Sequence, residues 1–181
     1  MLKTEELKLV SEWDKTFPQS EKVDHKKVIF VNRYGITLAA DLYKPKNASG
    51  KYPAIAVSGP FGAVKEQCSG LYAQTMAERG YLTIAFDPSF TGESGGYPRF
   101  MASPDINTED FMAAVDFLSV REDVDLDKIG IIGICGWGGM ALNAAALDTR
   151  IKATVASTMY DMTRVNANGY FDSEDSEEAR Y

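Results

Sequence analysis

The sequence predicts an α/β fold: a mostly parallel sheet with helices on both faces, preceded by an antiparallel hairpin. Three observations predict it. Short β-rich runs alternate with segments of helical spacing along the 181 residues. Two of the strands are continuously apolar, as strands covered on both faces are. The first two strands are separated only by a Tyr34–Gly35 turn, which makes them a hairpin.

The elements follow in order. Residues 4–14 carry Leu7, Val10 and Trp13 on one face and predict a short amphipathic helix, within an N-terminal extension over 1–20. Lys27–Asn32 and Ile36–Tyr43 are the hairpin strands. Pro53–Ser58 is a short apolar strand. Gln67–Arg79 has helical spacing and ends at Gly80, a good helix terminator. Tyr81–Phe86 is a strand, followed by a glycine-rich loop. Thr108–Val120 is a helix whose first turn carries Glu109 and Asp110, placed to suit the helix dipole. Lys128–Cys135, Gly139–Leu147 and Ile151–Ser157 form strand, helix and strand. The core unit spans 21–163; residues 164–181, ending in an acidic DSEDSEEARY, begin a cap or tail.

Composition narrows the function classes. With 45% hydrophobic and 25% charged residues the chain reads as one globular domain. A net charge of −7 and the lack of a basic run argue against nucleic acid and anionic membranes as partners. No apolar leader and no run of transmembrane length are present, so a cytoplasmic location is expected. Two cysteines do not make a disulfide framework and are expected to be reduced thiols. One histidine and two separated cysteines give no metal-ligand spacing, and no cofactor is expected.

Ligands of such sheets bind beyond the carboxyl ends of the strands, where three loops lie. SGPFGAVKEQ, residues 58–67, offers the amides of Phe61 or Gly62 to an oxyanion. DPSFTGESGG, residues 87–96, turns sharply and reads as structural. The third is GICGWGG, residues 133–139, between strand and helix. A nucleophile elbow needs small residues two before and two after its tip. Cys135-Gly136-Trp137-Gly138-Gly139 meets that rule with Trp137 at the tip. A tip at Cys135 would put the bulky Trp137 at the close crossing, so Cys135 is expected to be a small buried residue, with a minor alternative role as nucleophile.

The order of these three loops, each after a predicted strand, resembles the α/β-hydrolase family, in particular its bacterial branch similar to dienelactone hydrolases and small esterases. The resemblance covers roughly residues 26–165. It implies an α/β-hydrolase sheet and acyl transfer on an ester, lactone or amide, with a small carbonyl compound as substrate. The tip residue, usually a serine in relatives, attacks the carbonyl. By that mapping the amide of Gly138 and that of Phe61 or Gly62 hold the oxyanion, and Asp161 occupies a place from which the acid of the triad occasionally comes.

Two departures follow. Trp137 has neither hydroxyl nor thiol and cannot attack a carbonyl. The family's histidine follows its last strand, whereas His25 precedes the first predicted strand here and reads as an exposed surface residue. Six strands are counted where the family fold has eight. The last two, with the histidine, are therefore expected beyond Tyr181, leaving Ile151–Ser157 as a bare edge open to homodimer formation. As written, the chain is expected to lack a working triad. Two other readings stay open. One is a non-catalytic scaffold that binds a small molecule or partner. The other is a dinucleotide-binding, oxidoreductase-like domain, since Gly136–Ala141 spells G-x-G-x-x-A. Against the latter, Asp148 comes too early and Asp161 too late to hold a ribose, and several strands precede the motif.

Overall fold

The computed structural model describes residues 5–46, 49–174 and 176–178. Its elements are β1 (Val23–Val31), β2 (Thr37–Pro45), β3 (Tyr52–Ser58), α1 (Cys68–Glu78), β4 (Leu82–Phe86), α2 (Pro104–Ser119), β5 (Val124–Ile134), α3 (Gly136–Leu147), β6 (Ile151–Ser157) and α4 (Met162–Asn168). They form one six-stranded sheet in the order β1-β2-β4-β3-β5-β6. β1, β2 and β4 pair antiparallel; β4, β3, β5 and β6 run parallel. The hairpin and the parallel sheet are as the sequence predicts.

The two faces carry separate cores. Phe86, Phe111, Leu118 and Trp137 pack with Ile84 and Ile131 beneath α2 and α3. Ala73 and Ala77 of α1 pack on Ile55, Val57 and Ile132 of the opposite face. Small residues let α1 lie close to the sheet. Full burial of a side chain such as Phe111 contributes about 1.5–3 kcal/mol.

Three expectations need correction. Residues 5–20 contain no helix. Their amides are taken by the body of the domain instead. Glu5 N–H donates to Thr37 Oγ1 (2.8 Å), Val10 N–H to Glu93 Oε1 (2.6 Å), and Thr16 N–H to the Glu66 carbonyl (2.9 Å). A helix this short is marginal alone, and these bonds compete with it. The segment is an extended strap across the domain. Second, α2 starts a turn early, with Ser103 as N-cap and Pro104 in the first turn. Glu109 and Asp110 thereby leave the first turn. Glu109 pairs with Arg33 at 2.7 Å, and Asp110 is buried, accepting from Asn32, Ser89 and Asn107. Third, His25 is not an exposed surface residue. It lies within β1, and its Nε2 is 2.8 Å from Asp41 Oδ1.

β6 is the outer strand, with Val155 51% exposed. Beside it lies an apolar groove of about 500 Å³ whose walls include Ile55, Met76, Tyr81 and Val155. No helix among the described residues is long and apolar enough to cross a membrane.

Candidate active site

The turn from β5 into α3 sets the register of the site. Cys135 has φ 59° and ψ −130°, between a strand ending at Ile134 and a helix starting at Gly136. This is a sparsely populated backbone region for a residue with a side chain, of the kind held in place only by its surroundings. Cys135 N–H donates to the Ser157 carbonyl at the end of β6 (2.8 Å), and its carbonyl accepts from Gly138 N–H (2.9 Å). The apex of the elbow is therefore Cys135, not Trp137.

The steric rule behind the expected register holds on one side only. A β-carbon at Gly133 would collide with the Trp137 carbonyl and lie 2.8 Å from Ala141 Cβ, so the position two before the apex must be glycine. Two after the apex, Trp137 projects away from the crossing. Its ring enters the core near Phe61 and Phe111, at centroid distances of 6.0 and 6.2 Å, and is 2% exposed. Room for it comes from Gly59, where a β-carbon would sit 2.7 Å from Trp137 Cβ.

The corrected register changes which amides stand next to the apex. Gly138 N–H is committed to the Cys135 carbonyl. Gly136 follows the apex and opens α3, where a first-turn amide has no partner one turn back. Facing it is the loop of Phe61 and Gly62, whose ring at Phe61 lies directly on Gly136. Among the described residues the Phe61 and Gly62 amides make no backbone hydrogen bond. The Phe61 and Gly62 amides thus lie across from the turn, and the amide next to its apex is that of Gly136 rather than Gly138.

The thiol of Cys135 is half-buried and free. Tyr160, from the β6–α4 connection, hydrogen-bonds Tyr170 and also contacts the Cys135 side chain. The Tyr170 bond, burial and the nearby sulfur together push the Tyr160 phenol up to about 12. Cys68, at the start of α1, points its Sγ at the Gly59 carbonyl (3.6 Å), and burial raises its thiol. Asp161 caps α4, accepting from Arg164 N–H at 3.0 Å. The one histidine of the sequence, His25, is bonded to Asp41 on β2 and packs against Trp13 and Tyr43.

The loop that carries Phe61 and Gly62 is anchored by buried charge. Lys65 donates from its amide to Asp87 Oδ1 (2.7 Å) and from Nζ to Asp87 Oδ2 (2.9 Å) and Glu93 (2.7 Å). Lys27 reaches Asp14, Glu66 and Glu93 at 3.3, 3.6 and 2.7 Å, placing an ammonium among three carboxylates. Lys15 does the same for Asp14 and Asp41. Burial disfavours a charged Lys65, but the Asp87 carboxylate outweighs it and the ammonium is strongly favoured. Burial and the Asp87 charge push Glu66 up. The sequence gives little warning of this network, because its members are scattered over eighty residues; Asp41, an acid inside the strand TLAADLYKP, is the one visible sign.

An elbow at the carboxyl end of β5, with a cysteine at its apex and facing amides after β3, defines an α/β hydrolase. The chain belongs to the X-Pro dipeptidyl-peptidase (S15) family, whose model matches residues 34–179. It is similar to PA2218 of Pseudomonas aeruginosa, described as uncharacterized, with 72% identity over 169 residues, 93% of this chain and 46% of PA2218. The crystal structure of PA2218 superposes with a TM-score of 0.93 at 69% identity, over 97% of this chain and 55% of that one. The thiohydrolase aneE of Aspergillus aculeatus is 32% identical over 137 residues, 76% of this chain and 42% of that protein. The chain thus spans about half the length of the curated relatives it matches.

Proposed function

We propose that this chain carries the nucleophile half of a cysteine-based acyl-transfer site, in a lineage that hydrolyses esters, lactones or related carbonyl compounds. The observation that carries the reading is the backbone of Cys135, held at positive φ at the turn between β5 and α3, with its thiol half-buried beside Tyr160. A thiolate is a strong nucleophile and needs less help from a base than a serine does. It adds to the substrate carbonyl, whose electron pair moves to oxygen and is met by the amides of Gly136 and Phe61 or Gly62. Collapse expels the alkoxide, which takes a proton from water, and leaves a thioester on Cys135. Hydrolysis of that thioester needs a base to activate water. His25 is 2.8 Å from Asp41 and belongs to the strap side of the sheet. The chain as written therefore acylates faster than it turns over, in keeping with a triad that is incomplete here. The hydrolase families of the relatives, among them a thiohydrolase, support the reaction class. The same proposal covers a second partner: another copy of the chain, paired along the exposed β6 edge.

The test is incubation of the 181-residue chain with p-nitrophenyl acetate. A single burst of nitrophenolate is expected, with the acetyl group found on Cys135 by peptide mass spectrometry. The burst disappears in Cys135→Ala and persists in Cys68→Ala. An unlabelled Cys135, or a burst that survives Cys135→Ala, overturns the nucleophile and leaves the binding scaffold as the better reading.

A further inference from the structure

The two cysteines of the chain approach each other at the carboxyl ends of β3 and β5. Cys135 stands at the apex of the β5–α3 turn, and Cys68 opens α1. Both are free thiols, and both are half-buried. The sheet brings them together. β3 and β5 run parallel with Ser58 opposite Gly133, so Gly59 follows beside Ile134. A β-carbon at Gly59 would collide with the Ile134 carbonyl oxygen, so the two backbones are in close approach there. The Cys68 sulfur contacts the Gly59 carbonyl at 3.6 Å. Neighbouring strands lie about 4.8 Å apart. Cys68 therefore stands one strand spacing from the backbone that leads into Cys135.

Both side chains belong to the same face of the sheet. They pack against one apolar cluster, which includes Ile55, Val57, Ile132 and Ile134 on the side covered by α1. Burial raises the Cys68 thiol above its ordinary value, and the nearby Cys135 sulfur adds to the rise. Acyl transfer uses Cys135 alone and leaves Cys68 without a role.

We infer that Cys135 and Cys68 form a peroxide-responsive thiol pair, in which Cys135 is oxidised and Cys68 resolves it as a disulfide within one chain. The Cys135 sulfur attacks a hydroperoxide. The O–O bond breaks, Cys135 becomes a sulfenic acid, and an alcohol or water leaves with the thiol proton. The Cys68 sulfur then attacks the Cys135 sulfur. The S–S bond forms, the S–O bond breaks, and hydroxide leaves as water with the Cys68 proton. The electron pair and the protons given up by the two thiols end on the oxygens of the peroxide. Buried and held protonated, Cys68 is the slower of the two to meet peroxide and suits the second step. The pair itself goes beyond the acyl-transfer reading; only its consequence, that the bridge withdraws the nucleophile until a reductant returns it, rests on that reading.

The experiment treats the 181-residue chain with a small molar excess of hydrogen peroxide, followed by iodoacetamide and trypsin. The peptide of Cys68 is expected to be found linked to that of Cys135, in a yield independent of protein concentration. The p-nitrophenyl acetate burst is expected to be lost with the linkage and restored by dithiothreitol. Dimedone, which traps sulfenic acids, is expected to label Cys135 in Cys68→Ala far more than in the wild-type chain, where Cys68 removes the sulfenic acid first. Several results overturn the inference: a sulfinic Cys135 beside an alkylated Cys68 in the wild-type chain, a linkage only between chains, two thiols that both stay reduced, or equal dimedone labelling with and without Cys68. The nucleophile is judged separately. A linkage in a chain that shows no burst before oxidation sinks acyl transfer and leaves the thiol pair standing, and a burst on Cys135 with no linkage does the reverse.

Discussion

The two flanks of the sheet are finished in opposite ways. On the β1–β2–β4 side the domain closes on itself: the strap over residues 5–20 crosses it, and Lys15, Lys27 and Lys65 are each met by two or more carboxylates. On the β5–β6 side the chain presents itself. Cys135 stands at a strained apex, Val155 and Met159 are exposed, and an apolar groove runs beside β6. The loop of Phe61 and Gly62 lies between the two, tied to the closed flank through Lys65 and facing the open one through Phe61. Rigidity for the site comes from one side, and access to it from the other.

The largest effect should come from cutting the tie. Lys65→Ala strands Asp87 without a counter-ion, while Glu93 keeps Lys27, and removing one partner of a buried ion pair costs about 3–5 kcal/mol. Urea unfolding should show that loss; a change within experimental error would mean that the loop is held by its backbone alone. On the open flank, the wild-type chain should self-associate in light scattering at micromolar concentration, and Val155→Lys should shift it towards monomer with no loss of secondary structure. A wild-type monomer would remove the pairing proposal.

The smallest effect concerns acid. Burial alone would raise the Asp41 carboxyl, but the hydrogen bond with His25 and the charge of Lys15 hold it below its ordinary value. A depressed acid contributes stability that is complete above its unfolded value, 3.8, and is lost as pH falls through the lower folded value. Glu66, raised by burial and by Asp87, works in the opposite sense at higher pH. His25→Ala should move the acid limb of the Tm profile to higher pH by a fraction of a unit; an unmoved limb would place the titration elsewhere.

Most of the fold is legible in the sequence, because apolar runs and helical spacing report the sheet and its covering helices directly. Ile151–Ser157 is read to the residue, and α1 within one residue at each end. The site is legible as a place and misread as a register. GICGWGG meets the small-residue pattern in full with Trp137 at the tip, and on one side only with Cys135 there. Only the direction of the Trp137 side chain decides between the two, and that depends on Gly59, more than seventy residues earlier. The strap is illegible for a similar reason. Its Leu7, Val10 and Trp13 have helical spacing, but Glu66 and Glu93, which capture its amides, are distant in sequence. Local pattern reports local conformation well until a remote partner offers the backbone something better.

The sequence has two tryptophans, and the fold assigns one to each flank. Trp13 sits in the strap, edge-on to His25 and near the Lys15 ammonium; Trp137 sits beneath the elbow among aromatic rings. Their indoles differ in polarity and in quenching neighbours, so each colours its emission differently. The molecule carries its own pair of optical gauges, able to tell loosening of the strap from opening of the elbow without an added dye.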